Sequence, residues 1–144
     1  MLRKMTLTLC LVACCVWCLA LVARGDNGKS AGSPVSFKPV ASLYSLMEGQ
    51  DMHFSALGVL IDQPDAKNRT KRLIVEAEVL AELANVNTLT RDKEDYRAWA
   101  SEVRDLSLDL ARLAGKGDSN GQEEMKLLYR KINKTCLKCH DRYQ

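Results

Sequence analysis

The stretch TCLKCHDRYQ places Cys136, Cys139 and His140 within five positions. Three chemistries compete for two thiols and an imidazole so spaced: a structural zinc site, a redox-active dithiol, and covalent attachment of haem. Zinc takes about four thiolate or imidazole ligands. The motif supplies three, and His53 is the only other histidine. Adjacent Cys139 and His140 project about 100° apart on a helix, which suits a tetrahedral site poorly. A dithiol oxidoreductase places its CxxC at a helix N-terminus, where the dipole lowers the thiol pKa. This motif falls instead near the C-terminal end of a helical pattern, where the dipole raises it. C-x-x-C-H is the attachment signature of c-type haem. Cysteines three apart lie on one side of a helical turn, so each can form a thioether to one haem vinyl group. The next residue then projects its imidazole toward the iron.

The other four cysteines, Cys10, Cys14, Cys15 and Cys18, fall within the first 25 residues. Arg3 and Lys4 precede an uncharged run over 5–23, and Ala23-Arg24-Gly25 offers small residues of the kind a signal peptidase reads. The expectation is a cleaved export signal over 1–25 and a periplasmic mature protein. An uncleaved membrane anchor is the rival, since a span takes about 20 apolar residues. A lipobox reading of Leu11-Val12-Ala13-Cys14 is weaker, because the apolar run continues past Cys14. A mature chain with only Cys136 and Cys139 has no disulfide framework, so its thiols serve a site. Thioethers also retain a cofactor that an exported protein would otherwise lose.

The chain has 21 basic and 18 acidic residues; without Arg3, Lys4 and Arg24 the two signs are equal. The mature chain therefore lacks the basic excess of a nucleic-acid-binding protein.

The elements that must position the motif read as helices throughout. A polar lead-in over 26–36 (DNGKSAGSPVS) precedes four periodic segments at about 39–61, 66–85, 92–113 and 121–142. Pro64 stops the first. Gly115 and Gly117 suit the end of the third, and Ser119 with Gln122 has capping-box spacing for the fourth. Apolar stripes mark the inner faces: Leu73, Ala77, Leu80 and Ala84; Trp99, Val103, Leu106, Leu110 and Leu113; Met125, Leu128, Ile132, Cys136, Cys139 and Tyr143. The expected fold is all-α, an antiparallel up-down-up-down four-helix bundle over 37–144.

A helical bundle with CxxCH followed by Asp141-Arg142-Tyr143 resembles the cytochromes c-prime and their low-spin relatives, over the whole of 37–144. The resemblance implies one haem c held by thioethers on Cys136 and Cys139, with His140 as the proximal iron ligand. It also implies that the first helix faces the other side of the iron. High-spin relatives present an apolar residue there; low-spin relatives present a methionine.

The first helix offers Met47, Met52 and His53. At 100° per residue, Met47 shares a stripe with Leu43, Phe54, Leu57 and Ile61. Met52 falls nearly opposite, and His53 about a quarter turn to one side. Matching 44–54 onto the family's first helix, anchored on His53-Phe54, also puts Met47 at the distal position. Buried methionines ordinarily fill core gaps, but beside a haem the soft thioether is an iron ligand. Met47 is thus the expected distal ligand, Met52 a surface or dimer-contact residue, and His53 a solvated one. The chain departs from the family at Gln144, where relatives often carry a basic residue, and at Leu43, where others carry an arginine near the propionates. Arg72, Arg104, Lys131 and Lys134 are the remaining propionate candidates.

The resulting expectation is an exported mono-haem carrier of single electrons, with no catalytic groups of its own. Its partners would be redox proteins, with no nucleic acid, no membrane after signal cleavage, and a homodimer as a further option. The alternatives are a high-spin protein binding nitric oxide or carbon monoxide at an open distal site, and a haem-free bundle using its thiols otherwise.

Overall fold

Each apolar stripe becomes one helix of the computed structural model, which describes residues 37–117 and 121–144. The helices are α1, Leu43–Asp62; α2, Arg69–Asn87; α3, Glu94–Lys116; and α4, Gly121–Tyr143. No strand occurs among the described residues. The expected export signal, its four cysteines, the lead-in and Ser119 lie outside them. No described helix is long and apolar enough to cross a membrane.

Local chemistry sets the boundaries. α1 begins at Leu43 rather than near 39, because Ser42 is extended and its hydroxyl accepts the Ser45 amide at 3.1 Å. That bond satisfies one of the amides that a helix start leaves without an internal partner. α2 begins at Arg69 rather than 66, after Asn68 takes a left-handed turn at φ 56°, which asparagine tolerates better than most residues. Gly115 lies inside α3; Gly117, at φ 65°, is the glycine that ends it.

Contacts between helix ends show that sequence neighbours run antiparallel. Arg69 at the start of α2 donates from Nε to the Leu60 carbonyl at 2.7 Å, and Met47 near the start of α1 reaches Asn87 at the end of α2. Asp95 at the start of α3 accepts from Tyr143 at the end of α4. α1 packs on α2, α2 on α3 and α3 on α4, while α1 and α4 meet more sparsely. The core between them includes Leu57, Leu80, Leu110 and Ile132, all at most 1% exposed. Burying one such side chain contributes roughly 1.5–3 kcal/mol.

Two features hold α1 to α4. Phe54 and Tyr129 stack face to face, ring centroids 4.2 Å apart and 4° from parallel. Gly58 makes room for them: a Cβ there would sit 2.6 Å from the Tyr129 hydroxyl oxygen. Below this stack, Gln122 joins the Ile61 carbonyl to the Arg69 guanidinium. Its amide thus reaches across to α1 and α2, whereas a capping box would turn it back along α4.

Candidate cofactor site

Above the stack, toward the start of α1 and the end of α4, the two helices leave a cleft of about 200 Å³ lined by Met47, Phe54, Leu80, Cys136 and His140. A second cavity of about 40 Å³ shares Met47, Cys136 and His140 as walls and adds Cys139, Asn87 and Tyr96. All four residues singled out by sequence therefore face this one region. Met47 is half-buried near the start of α1, and Cys136, Cys139 and His140 are half-buried in the last two turns of α4. Helical spacing is what turns both thiols to the same side: three residues apart, they lie about 300° apart round the helix, or 60° the short way.

The thiols are not poised as nucleophiles. Burial pushes the Cys136 thiol up to about 11, and its neighbour Cys139 adds to the effect. Burial raises Cys139 too, partly offset by Arg91. A redox dithiol needs thiolate at neutral pH, and this environment withholds it. Among the described residues, no three of His, Cys, Asp and Glu gather closely enough to hold a metal ion.

The polar groups of the site were not apparent from the sequence. Asn87, 2% exposed, points its Nδ2 at the Met47 sulfur at 3.9 Å. Its Oδ1 and the neighbouring Gln50 Nε2 are buried with no partner. An unpaired buried amide group costs about 1–3 kcal/mol, so two of them facing one cleft mark a place suited to a further polar occupant. The volume is below the roughly 300–1,000 Å³ of ordinary ligand pockets. The cleft lies in the seam between α1 and α4, where neighbouring helices of the bundle meet most sparsely.

The last turn of α4 is anchored rather than frayed. Tyr143 donates its hydroxyl proton to Asp95, and its ring meets Tyr96 edge-on at 5.3 Å. Arg91 lies over both tyrosine rings at 5.7 and 5.4 Å, and Lys138 over Trp99 at 4.7 Å. Tyr96 is itself fixed through Thr90 at 3.0 Å. These contacts hold Cys139 and His140 in place at a helix end, where backbone bonds run out.

This anchor titrates. The Tyr143 hydroxyl holds the Asp95 carboxyl below its ordinary 3.8, helped by the Tyr96 amide and Arg142. Tyr143 is in turn raised above its ordinary 10.0, chiefly by that same hydrogen bond and then by burial. A depressed carboxyl contributes stability above its unfolded value and loses it as pH falls through the folded one. A raised phenol contributes below its unfolded value and loses it as pH rises through the folded one. The anchor is thus at full strength between about pH 4 and pH 10. Amide exchange over 139–144, taken relative to the intrinsic rate at each pH, is expected to speed up outside that window. In Tyr143→Phe it is expected to be fast throughout; unchanged protection in that variant would show that the hydroxyl does not anchor the helix.

No family model, no curated protein and no solved structure matches this chain. The site must therefore be read from its own residues. One expectation changes. His53 is only partly solvated, its side chain 29% exposed, and its Nδ1 lies 2.6 Å from Glu76 Oε2, joining α1 to α2. None of Arg72, Arg104, Lys131 and Lys134 lines the cleft. Arg104 is held by Asp105 at 2.8 Å, and the other three are exposed. Met52 is 69% exposed, in line with a surface position.

Proposed function

We propose that this protein is an exported mono-haem c-type cytochrome that carries single electrons. The observation that supports this best is the sharing of one cavity by Met47, Cys136, Cys139 and His140, residues of two helices joined only at a loose seam. Cys136 and Cys139 would hold one haem c by thioethers, His140 would be the proximal iron ligand, and Met47 the distal one. The bound haem supplies the one-electron iron couple. The protein's own part is positional. α4 presents both sulfurs and the imidazole from consecutive turns, and the Asp95–Tyr143 anchor stops that end from fraying. Leu80 and the Phe54–Tyr129 stack exclude water from the inner side. Asn87 directs its amide at the Met47 sulfur, which fixes the rotamer of that side chain. With His140 and Met47 both held to it, the iron would be closed to substrate, so the protein would serve as a carrier and not an enzyme. Export through the segment 1–25 to the periplasm belongs to the same proposal.

Intact-mass analysis and an optical spectrum of protein matured through export test it together. The expected mass exceeds the polypeptide by one haem that resists extraction into acidified organic solvent. The expected ferrous spectrum has sharp, split low-spin bands. Bare polypeptide with no Soret absorption would overturn the proposal.

One observation favours the high-spin alternative: the unpaired Gln50 Nε2 beside Met47 offers a hydrogen bond to a small polar ligand. Broad ferrous bands, shifted sharply by carbon monoxide, would decide for it.

A further inference from the structure

The exposed face of α4 carries Arg130, Lys134, Lys138 and Arg142 at four-residue spacing, a single row about 18 Å long. From Met125 onward α4 and the final residue hold six basic side chains against one acidic, Asp141. Like charges four apart on a helix repel and destabilise it. A helix end favours cations only within its last turn, which covers Lys138 less well than Arg142 and does nothing for Arg130 or Lys134. Among the described residues, none of the four is in ion-pair contact with a carboxylate. Lys138 rests on Trp99 and Arg142 suits the helix end, but the fold gains nothing comparable from Arg130 and Lys134.

Its position is informative. The four side chains, with one carboxylate, Asp141, line an open groove together with Asn133 and Leu137. The same two residues form the outer wall of the cleft that holds Met47, Cys136 and His140. Leu137 is 55% exposed. One layer of side chains therefore separates the cleft from solvent, and that layer lies within the basic row. Across the cleft the sign reverses: the first half of α1 carries Glu48 and Asp51, Asp51 itself lining the cleft, and the helix has no Lys or Arg. A short basic row with an apolar centre and an acidic border matches a bounded acidic patch on another protein. An extended anionic surface, such as a membrane, would also meet the acidic border and be repelled.

We propose that the Arg130–Lys134–Lys138–Arg142 face of α4 is the docking surface for an acidic redox protein, which exchanges electrons across the Asn133–Leu137 wall. The proposal rests on the haem reading for the electron and on the charge pattern for the surface. Complementary charge of this kind acts mainly on the rate of encounter.

The test uses the mature holoprotein and its Arg130→Glu/Lys134→Glu variant, which leaves Lys138 on Trp99 and alters no cleft residue. In stopped flow, one electron passes from the ferrous protein to hexacyanoferrate(III), giving hexacyanoferrate(II), or to tris(phenanthroline)cobalt(III), giving the cobalt(II) complex. At low ionic strength the variant is expected to lose about tenfold in rate with the anionic oxidant and to gain with the cationic one. Both differences should vanish near 1 M salt, where charges are screened within about 3 Å. Equal rates for parent and variant, or parallel changes with both oxidants, would overturn the proposal. In an independent NMR titration, poly-L-glutamate is expected to shift the amides of 130–142 in the parent and not in the variant. A footprint elsewhere, or self-association of the parent in place of binding, would overturn it. So would row-dependent co-sedimentation with phosphatidylglycerol vesicles in the absence of any polyglutamate footprint. Protein that carries no covalent haem but shows the footprint would remove the haem reading and leave the acidic-partner surface standing.

Discussion

A Cys136→Ala/Cys139→Ala protein, exported and matured beside the parent, is expected to carry no mass beyond its polypeptide. Any tetrapyrrole it binds should pass into acidified organic solvent. Either single variant should retain one thioether and bind more weakly. Thermal stability should fall with the cofactor, and magnitudes separate the two causes. Replacing a half-buried thiol by a methyl group removes one sulfur atom and costs on the order of 1 kcal/mol. A group held at a hundred times its dissociation constant contributes about 2.7 kcal/mol, and a covalently retained one more. For a domain of roughly 100 residues each kcal/mol moves Tm by about 4 °C. A loss of about 19 °C or more in the double variant thus reports the cofactor together with both sulfur atoms, and one of about 8 °C reports the two sulfur atoms alone. A parent that, like the double variant, carries no mass beyond its own polypeptide would end the haem reading.

Met47→Leu is expected to convert a low-spin spectrum to a high-spin one while changing stability little. Leucine matches methionine in volume, and such exchanges usually cost less than about 1.5 kcal/mol. The spectral change should therefore be far larger than the thermodynamic one. Part of the cost would come from Asn87: its Nδ2 loses the sulfur it faces at 3.9 Å, in a position where its Oδ1 is already unpaired. Met47→Leu/Asn87→Leu should recover some of that loss, since replacing both partners by apolar groups is cheaper than orphaning one. Identical ferric and ferrous spectra in Met47→Leu and the parent would show that Met47 packs beside the iron without binding it.

The four helices were legible because apolar residues recur at threes and fours and because Pro64 and Gly117 interrupt them. Their starts were less so. Ser42 and Asn68 are the residues that set the first two, and nothing in a stripe distinguishes a cap from any other polar residue. α1 also buries Leu46 and Leu60, which lie beside the stripe drawn through Leu43 and Met47. A buried face is wider than one row, and this leaves Met47 half-buried at its margin. The sulfur and imidazole positions followed from local spacing. Asn87, Gln50 and Tyr96 did not, because each has its partner or its cavity on another helix. His53 illustrates the same limit. One helix's geometry puts it a quarter turn off the core stripe, yet Glu76 of α2 waits 2.6 Å away. Periodicity describes a single helix, whereas such pairs depend on two.

The sparse seam between α1 and α4 joins the elements most distant in sequence. Bringing them together closes the longest loop in the fold, which is entropically the most expensive closure and depends on contacts of the highest sequence separation. α1 should therefore be the last helix to lock as the chain folds and the first to swing away when it opens. Until it locks, the thiol-bearing face of the final helix stays accessible from outside, so the order of folding itself would leave an interval in which the proposed prosthetic group could be installed.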